Sequence, residues 1–310
     1  MITATEWPLV SVVVATYNGG RFLRQQIDSV LAQTYPNLEI IITDDASADD
    51  TLQIAQSYQE QQANIRLLRS TVNHGYIKNF ERGLREAKGE YVALCDQDDI
   101  WLPEKIAALV KALGDHALVY CDSALIDEAG TSLHRKMSEL RHYIDYRNPL
   151  MYVIGVWSPG HAMLFRRSLL EDCFPFPRLV TQDFWLSFIA SGRGGVHFVD
   201  QCLVLYRQHS ANAIGGIKMK RGKKHRPSRR EQTAVARERM QLLYDHCPSL
   251  PAAVKETLGR FLESYQSFSF RNNCLRVALF YRYRHLLHAS KRKGEFMQRV
   301  YALKMFFKLV

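Results

Sequence analysis

Residues 9–20 read Leu9-Val10-Ser11-Val12-Val13-Val14-Ala15-Thr16-Tyr17-Asn18-Gly19-Gly20. The first seven form a continuous apolar, β-branched run, the pattern of a strand buried on both faces of a parallel sheet. Helical spacing follows over 20–33 through Phe22, Ile27, Val30 and Leu31, and stops before Pro36. Leu38–Thr43 repeats the strand pattern, with a helix over 50–62 behind it. Ile65–Arg69, a helix over 76–87 and Tyr91–Cys95 supply two further units, and 103–113 is helical before Ala117–Cys121. Strands alternating with helices of this length predict right-handed βαβ units, hence an α/β, Rossmann-like, mostly parallel sheet flanked by helices. Ligands of such sheets bind beyond the carboxyl ends of the strands.

Later the pattern loosens, with strands expected at 162–166, 196–199 and 202–205. Past residue 228 it is helical, over 229–246, 252–270, 272–291 and 294–308. Asn212–Pro227 combines Gly215-Gly216, Gly222 and a dense basic run, and reads as a hinge loop. It divides the chain into residues 1–217 and a basic helical C-terminal region, 218–310.

A chain of 310 residues with 47% hydrophobic and 23% charged residues can bury a sizeable core, which excludes disordered and disulfide-scaffold classes. Six scattered cysteines (95, 121, 173, 202, 247 and 274) without a C-x-x-C pair indicate reduced thiols and a cytoplasmic setting. Met1–Glu6 lacks the basic start and apolar stretch of a signal peptide, and no apolar run approaches the roughly 18 residues of a membrane span. The net charge of +10 is unevenly placed. Residues 218–239 hold ten Lys/Arg against two Glu, and residues 271–310 hold ten against Glu295 alone, whereas the remainder is mildly acidic. That asymmetry points to a polyanionic partner, nucleic acid or an anionic membrane surface.

Two loops at the ligand edge stand out, Thr16-Tyr17-Asn18-Gly19-Gly20 and Asp44-Asp45-Ala46-Ser47. The plainer reading is a turn at Asn18-Gly19 and a helix cap at Asp45 or Ser47. No G-x-G-x-x-G follows the first strand, which disfavours a nicotinamide or flavin enzyme. Cys95-Asp96-Gln97-Asp98-Asp99-Ile100-Trp101 is the sharper signal. Three carboxylates in four residues repel one another unless a cation or hydrogen-bond donors offset them, and such oxygen-rich sites suit Mg²⁺ or Mn²⁺ beside substrate phosphates. The plainer alternative is a helix N-terminus before Pro103-Glu104, to which Asp99 is assigned.

These stretches resemble the family 2 glycosyltransferases of the GT-A fold, through VSVVVATYNGGRFLRQQIDSVLAQTYPNLEIIITDDAS (10–47) and NHGYIKNFERGLREAKGEYVALCDQDD (73–99). A looser likeness continues at Ser158-Pro159-Gly160-His161, Gln182-Asp183-Phe184-Trp185 and Tyr206-Arg207-Gln208-His209, but does not extend to the C-terminal helices. The resemblance implies an inverting, metal-dependent enzyme acting on a nucleotide-sugar donor. Ala15, Thr16, Tyr17 and Asn18 would line the donor pocket, with Tyr17 near the base. Asp45 would accept from the base, and Asn73 with the Lys78/Asn79 stretch would complete the pocket. Asp96-Gln97-Asp98 matches the family's D-x-D element, so Asp98, with Asp96 and His209, would hold Mn²⁺ or Mg²⁺. Asp183 would be the general base. Gly160, His161, Gln182 and Trp185 would lie on the acceptor side, and Arg207 with His209 would sit where a loop closes over the diphosphate. DQDDIWLPEK, GHAMLF, QDFW and YRQHSAN look most like bacterial enzymes of lipopolysaccharide, O-antigen or capsule assembly, some of which use dTDP-L-rhamnose. The expected donor is dTDP-L-rhamnose or a UDP-hexose, and the expected acceptor a lipid-linked or lipopolysaccharide-type glycan.

In the tail, Phe296, Val300, Leu303, Phe307 and Val310 recur at 4, 3, 4, 3 spacing and fall on one helical face flanked by Arg299, Lys304 and Lys308. The functional reading is an interfacial helix on anionic lipid at the cytoplasmic face of the inner membrane, aided by Arg282, Arg284, Lys291, Arg292 and Lys293. The plainer reading is packing on the body or against a second copy in a homodimer. A nucleic-acid binder would interleave aromatic and basic residues, as 276–284 (RVALFYRYR) faintly does, but it leaves the carboxylates unexplained. A sugar nucleotidyltransferase would carry a Gly-rich, Arg/Lys-containing phosphate loop after the first strand, where this chain has ATYNGGRF. No nucleic-acid partner is expected.

Overall fold

The computed structural model describes residues 7–209, 228–246 and 252–310. The expected hinge at 212–227 and Cys247 lie outside them. Strand β1 (Val10–Thr16) pairs in parallel with β2 (Leu38–Asp44) and β4 (Tyr91–Cys95), and β3 (Ile65–Arg69) adds to β2. The sheet continues through β8 (Met163–Arg166), β6 (Leu118–Ile126), β9 (Val196–Arg207) and the two-residue β5 (Ile100–Trp101), while β7 (Ser132–Lys136) pairs with β6. Because β8 opposes both β4 and β6, and β9 runs parallel to β6, six strands among the described residues share one direction, and β5, β7 and β8 are reversed.

Both faces of the central strands are buried, as the β-branched run requires. Val12 and Val14 pack with Leu23, Ile27, Ile54 and Leu109 from α1 (Gly20–Leu31), α2 (Thr51–Gln61) and α4 (Lys105–Leu113). Val13, Ile41 and Leu94 face Phe80 and Leu84 of α3 (Tyr76–Arg85), in a core that extends to Trp185 and Phe188 of α7 (Gln182–Ser191). Two one-turn helices, α5 (Met137–Leu140) and α6 (Leu170–Cys173), punctuate the connections.

Several boundaries differ from expectation for local reasons. The two strands expected at 196–199 and 202–205 are one, β9, because register shifts opposite Cys121–Ser123 accommodate the polar Asp200-Gln201 without ending the pairing. The helix expected over 272–291 breaks at Tyr283 into α10 (Phe270–Arg282) and α11 (Arg284–Leu287). The last helix, α12 (Glu295–Lys304), stops short of 308, so Phe307 and Val310 lie beyond the helix rather than on its face. Among the described residues, no helix is long and apolar enough to cross a membrane.

Helices α8 (Arg229–Asp245) and α9 (Ala252–Tyr265), with α10 to α12, enclose a third core of Met240, Phe261, Tyr265, Phe280 and Met305, into which Leu150 and Val153 of the preceding region also pack. Arg276 is wholly buried there. Its guanidinium donates to the carbonyls of Met305 (2.7 Å) and Ser264 and to Asn273 Oδ1 (2.5 Å). Arg276 and Phe280 are therefore spent on the interior, which removes them from any basic–aromatic surface over 276–284. Replacing Arg276 by Met would strand buried carbonyl oxygens at about 1–3 kcal/mol each. Arg276→Met is expected to lower the chemical-denaturation midpoint clearly, and an unchanged midpoint would mean that water takes over these bonds.

Candidate active site

The carboxyl ends of β1, β2 and β4 open into a cavity of about 490 Å³. Its wall includes Ala15, Thr16, Tyr17, Asp45, Asn73, Asp96, Gln97, Asp98, Gly160, His161, Gln182 and Asp183, twelve of the residues singled out in the sequence. Tyr76, Asn79, Trp157, Phe184 and Tyr206 also line it. Of these, Asn79, Phe184 and Tyr206 stand in stretches that the sequence analysis names, without an assigned role for Phe184 or Tyr206. Tyr76 opens a helix and Trp157 directly precedes the Ser158–His161 stretch, the only signal either offered.

The donor-side loops are held by side chain–backbone bonds. The Tyr17 N–H donates to Gln97 Oε1 at 2.8 Å, and Gln97 Nε2 donates back to the Tyr17 carbonyl at 3.1 Å, joining the loop after β1 to the loop after β4. A Cβ at Gly19 would stand 2.1 Å from Gln97 Oε1, so a side chain there would push the Gln97 amide off the Tyr17 backbone. Asp45 is buried and accepts from the N–H groups of His74 (2.9 Å) and Gly75 (2.8 Å), fixing the Asn73–Gly75 loop over the cavity. Asn79 donates to the Thr16 and Thr43 carbonyls at 3.1 and 2.8 Å and ties α3 to the same edge.

Five expected site residues are not among the lining residues. Asn18, in left-handed backbone at φ 48, donates its N–H to Ser47 Oγ and accepts from the Ala48 N–H, which makes it a loop brace. Lys78 turns to Glu81 and the Phe176 carbonyl. Trp185 is buried in the core with its indole N–H on the Cys173 carbonyl, because helical spacing from Gln182 and Asp183 carries it inward. Arg207, at the end of β9, is buried and lies beneath the carboxylate loop. Its backbone N–H donates to Asp99 Oδ1 (3.0 Å), and its guanidinium donates to the carbonyls of Asp98 (2.9 Å) and Glu128 (2.9 Å) and to Gln25 Oε1 (2.6 Å). His209 follows, with Nε2 2.8 Å from Asp98 Oδ2.

The carboxylate loop has the chemistry of a divalent-cation site. Asp96, Asp99 and His161 each offer a ligand atom, all within 4.8 Å of one another. Asp99 does not cap a helix, since α4 begins only at Lys105. It is fully buried, and its Oδ2 has no hydrogen-bond partner among the described residues. Burial, then the charges of Asp98 and Asp96, push its carboxyl well up. A buried carboxylate oxygen without a donor is costly, and a hard cation would satisfy it. The carboxylates suit Mn²⁺ or Mg²⁺, and this trio shares Asp96 with the expected Asp96, Asp98 and His209, each set joining the 96–99 loop to a histidine from another segment.

Beneath the loop, the buried Lys105 donates to the His161 carbonyl at 2.6 Å and sits over the Trp101 ring at 3.2 Å. Burial and the Lys105 charge push His161 down to about 3, which keeps its imidazole neutral. Its Nε2 is 2.9 Å from Ser123 Oγ, and its ring stacks on Tyr206 with centroids 4.4 Å apart. The Asp96 carboxyl, partly exposed in the cavity wall, is raised from the ordinary aspartate value, first by desolvation within the cavity and then by the charges of Asp98 and Asp183. Asp183, in the first turn of α7, accepts from the Thr181 hydroxyl and from the Phe184 N–H at 2.7 Å. Burial raises its carboxyl against those bonds. Two acidic centres, the 96–99 loop and Asp183, thus share one cavity.

Residues 11–174 match the family model described as Glycosyl transferase family 2. An uncharacterized glycosyltransferase of Nostoc sp. is 30% identical over 217 residues, covering 66% of this chain and 66% of that protein, just under two thirds of its length. The putative teichuronic acid biosynthesis glycosyltransferase TuaG of Bacillus subtilis is 30% identical over 226 residues, 71% of this chain and 87% of that protein. Among solved structures, S. aureus TarS 1-349 in complex with UDP-GlcNAc superposes with a TM-score of 0.58 at 19% identity, covering 90% of this chain and 81% of the other. The mannosyltransferase PcManGT from Pyrobaculum calidifontis, in complex with GDP-Man and Mn²⁺, gives 0.55 at 21% identity over 98% and 82%.

Proposed function

The chain belongs to glycosyl transferase family 2, with the GT-A fold, and from that premise we propose that it moves a sugar from a nucleotide-sugar donor to an acceptor hydroxyl with inversion at the anomeric carbon. The observation that carries the reading is the pairing of the 96–99 carboxylate loop with Asp183 in one cavity walled by the loops after β1, β2 and β4. Tyr17, Asp45 and Asn73 frame the end that takes the nucleotide, with the Asp45-held loop closing it. Asp183 accepts the proton of the acceptor hydroxyl as that oxygen forms its bond to the anomeric carbon. The bond from that carbon to the diphosphate breaks on the opposite side, and the diphosphate leaves with the electron pair. Asp96, Asp98, Asp99, His161 and His209 are the residues that would hold Mn²⁺ or Mg²⁺, which supplies Lewis acidity toward the diphosphate when bound. Gly160, His161 and Gln182 shape the acceptor side.

The donor we propose is dTDP-L-rhamnose or a UDP-hexose, and the acceptor a lipid-linked or lipopolysaccharide-type glycan at the cytoplasmic face of a membrane. Nucleotide release from UDP-, dTDP- and GDP-sugars, with Mn²⁺ and with EDTA, tests the class. Metal-dependent turnover of one donor is expected. Absence of binding to every donor would overturn it.

Membrane contact has its own support. The inward side of the tail buries Ala302 and Met305, whereas Phe296 (75%), Leu303 (61%) and Phe307 (68%) remain exposed beside Arg299, Lys304 and Lys308. Large apolar side chains ringed by cations suit an anionic bilayer, each worth about 1.5–3 kcal/mol if fully buried there. Phe296→Glu with Phe307→Glu is expected to cut binding to phosphatidylglycerol vesicles at least tenfold in a flotation assay. Unchanged flotation would assign these side chains elsewhere.

A further inference from the structure

The turn after α11 carries Lys291-Arg292-Lys293 and lies between two neighbours: Arg292 reaches the segment after Met137 beside the acceptor side of the cavity, and the Lys293 ammonium lies 4.2 Å over the Tyr301 ring of α12. Backbone bonds from the Lys291 N–H to the His288 carbonyl and from the Lys293 N–H to the Lys291 carbonyl, both 2.8 Å, tighten the turn. Arg292 pins it by donating to the carbonyls of Ser138 (2.9 Å) and Glu139 (3.3 Å), directly after the cavity-lining Met137. From the same wall, the Arg141 guanidinium lies 4.4 Å over the ring of Trp157, itself a lining residue. Lys291 is half-buried, and Arg239 stands close by with its guanidinium on the Val153 carbonyl at 2.9 Å.

Among the described residues, no carboxylate lies within 4.0 Å of the cationic groups of Arg141, Arg239, Lys291, Arg292 or Lys293, although nearby Arg284 and Arg299 both pair with Glu295. Burial and the charges of Arg141, Lys293 and Arg239 lower the Lys291 ammonium, the mark of cations that crowd one another. Like charges held together by backbone bonds and a ring contact, without a counter-ion, are poised for an anion. Guanidinium and ammonium groups together match phosphate oxygens.

We propose that Arg141, Lys291 and Lys293 form a phosphate-binding subsite at the acceptor rim of the cavity, which takes the phosphate or diphosphate ester of the acceptor. The inference rests on the glycosyl-transfer reading. An acceptor whose hydroxyl reaches Asp183 past Phe184 and Trp157 would leave its anionic group at this rim. The anion is recognised as a phosphate ester, whether it is carried on an acceptor, free in solution or in a lipid headgroup.

The test is titration calorimetry of the full chain with decyl diphosphate, decanol, inorganic pyrophosphate and UDP, with phosphatidylglycerol vesicles in a parallel flotation assay. Lys291→Gln with Lys293→Gln, and separately Arg141→Gln, should weaken decyl diphosphate at least tenfold and leave UDP within twofold. Lys255→Gln with Arg260→Gln on α9, an equal loss of charge, should change neither. Loss of pyrophosphate in parallel with decyl diphosphate supports the subsite and assigns it the phosphates alone, whereas decyl diphosphate binding far more tightly than pyrophosphate supports an acceptor ester. Equal weakening in the α9 control, unchanged decyl diphosphate affinity in both rim variants, decanol binding as tightly as the diphosphate, or loss of vesicle flotation with no change in soluble phosphate binding would overturn it. If the wild-type chain binds decyl diphosphate but no nucleotide, the glycosyl-transfer reading fails while the anion site stands.

Discussion

Asp183→Asn is expected to lower turnover about 10²–10⁴-fold, the usual contribution of a positioned general base, with donor affinity within twofold of wild type. The asparagine keeps an oxygen for the Thr181 hydroxyl and the Phe184 N–H, so the first turn of α7 should hold its shape. The pH dependence supplies a second check. Burial raises the Asp183 carboxyl, so the protonated, inactive form persists to higher pH than for an ordinary aspartate, and wild-type turnover should fall on the acid side from above the usual carboxylate range. The same shift fixes a sign for stability. A carboxyl raised in the fold binds its proton more tightly there than in the unfolded chain, so stability declines as pH climbs from the ordinary value through the raised one. Asp183→Asn removes that decline, and its melting temperature near neutral pH should be no lower than wild type. An inactive yet unweakened variant would separate chemistry from folding, whereas retained turnover would remove Asp183 as the base.

The second large effect concerns the carboxylate loop. Asp98→Ala is expected to weaken Mn²⁺ binding by about 10²-fold, the upper end of the roughly 10–100-fold typical of lost supporting partners, and to abolish the metal's effect on donor affinity. Asp99→Asn is the companion. If the cation uses the buried, unpartnered Oδ2, this variant should match Asp98→Ala in metal affinity; if Asp99 only anchors Arg207, Mn²⁺ titration should be near normal. Donor binding with unchanged Mn²⁺ dependence in both variants would rule out the loop as the metal site.

What could be read from sequence divides along physical lines. β1, β2 and β4 and their helices are legible because a strand buried on both faces is dominated by apolar residues, as Val12–Val14 and Ile40–Ile42 are, and because Pro36 and the turn residues mark where helices stop. β9 was split on paper by Asp200-Gln201, since a bulge that tolerates polar residues leaves no periodic trace. β5, two residues long, has no period at all. At the site, the 96–99 carboxylates are visible as a cluster, which is why Asp96 and Asp98 can be named, whereas Asp183, a lone acid in Gln182-Asp183-Phe184-Trp185, is named only through the family resemblance. Aromatic wall residues such as Tyr76 and Trp157 look like any core aromatic until the fold turns them toward the cavity. Trp185 erred the other way, a neighbour in sequence to Asp183 that the helix rotates into the core.

Arg207 has a consequence for the order in which the protein is made. The carboxylate loop leaves the ribosome early, yet the backbone N–H that holds Asp99 and the guanidinium that holds Asp98 come 108 and 109 residues later. Contacts this distant in the chain form slowly, after the local helices and strands they must wait for. Throughout that interval the nascent chain carries three crowded carboxylates without their clasp, so the loop takes its final shape only when β9 arrives. The family match ends at residue 174, before that strand begins. The segment that identifies the chain is therefore not sufficient to lock its own acidic loop.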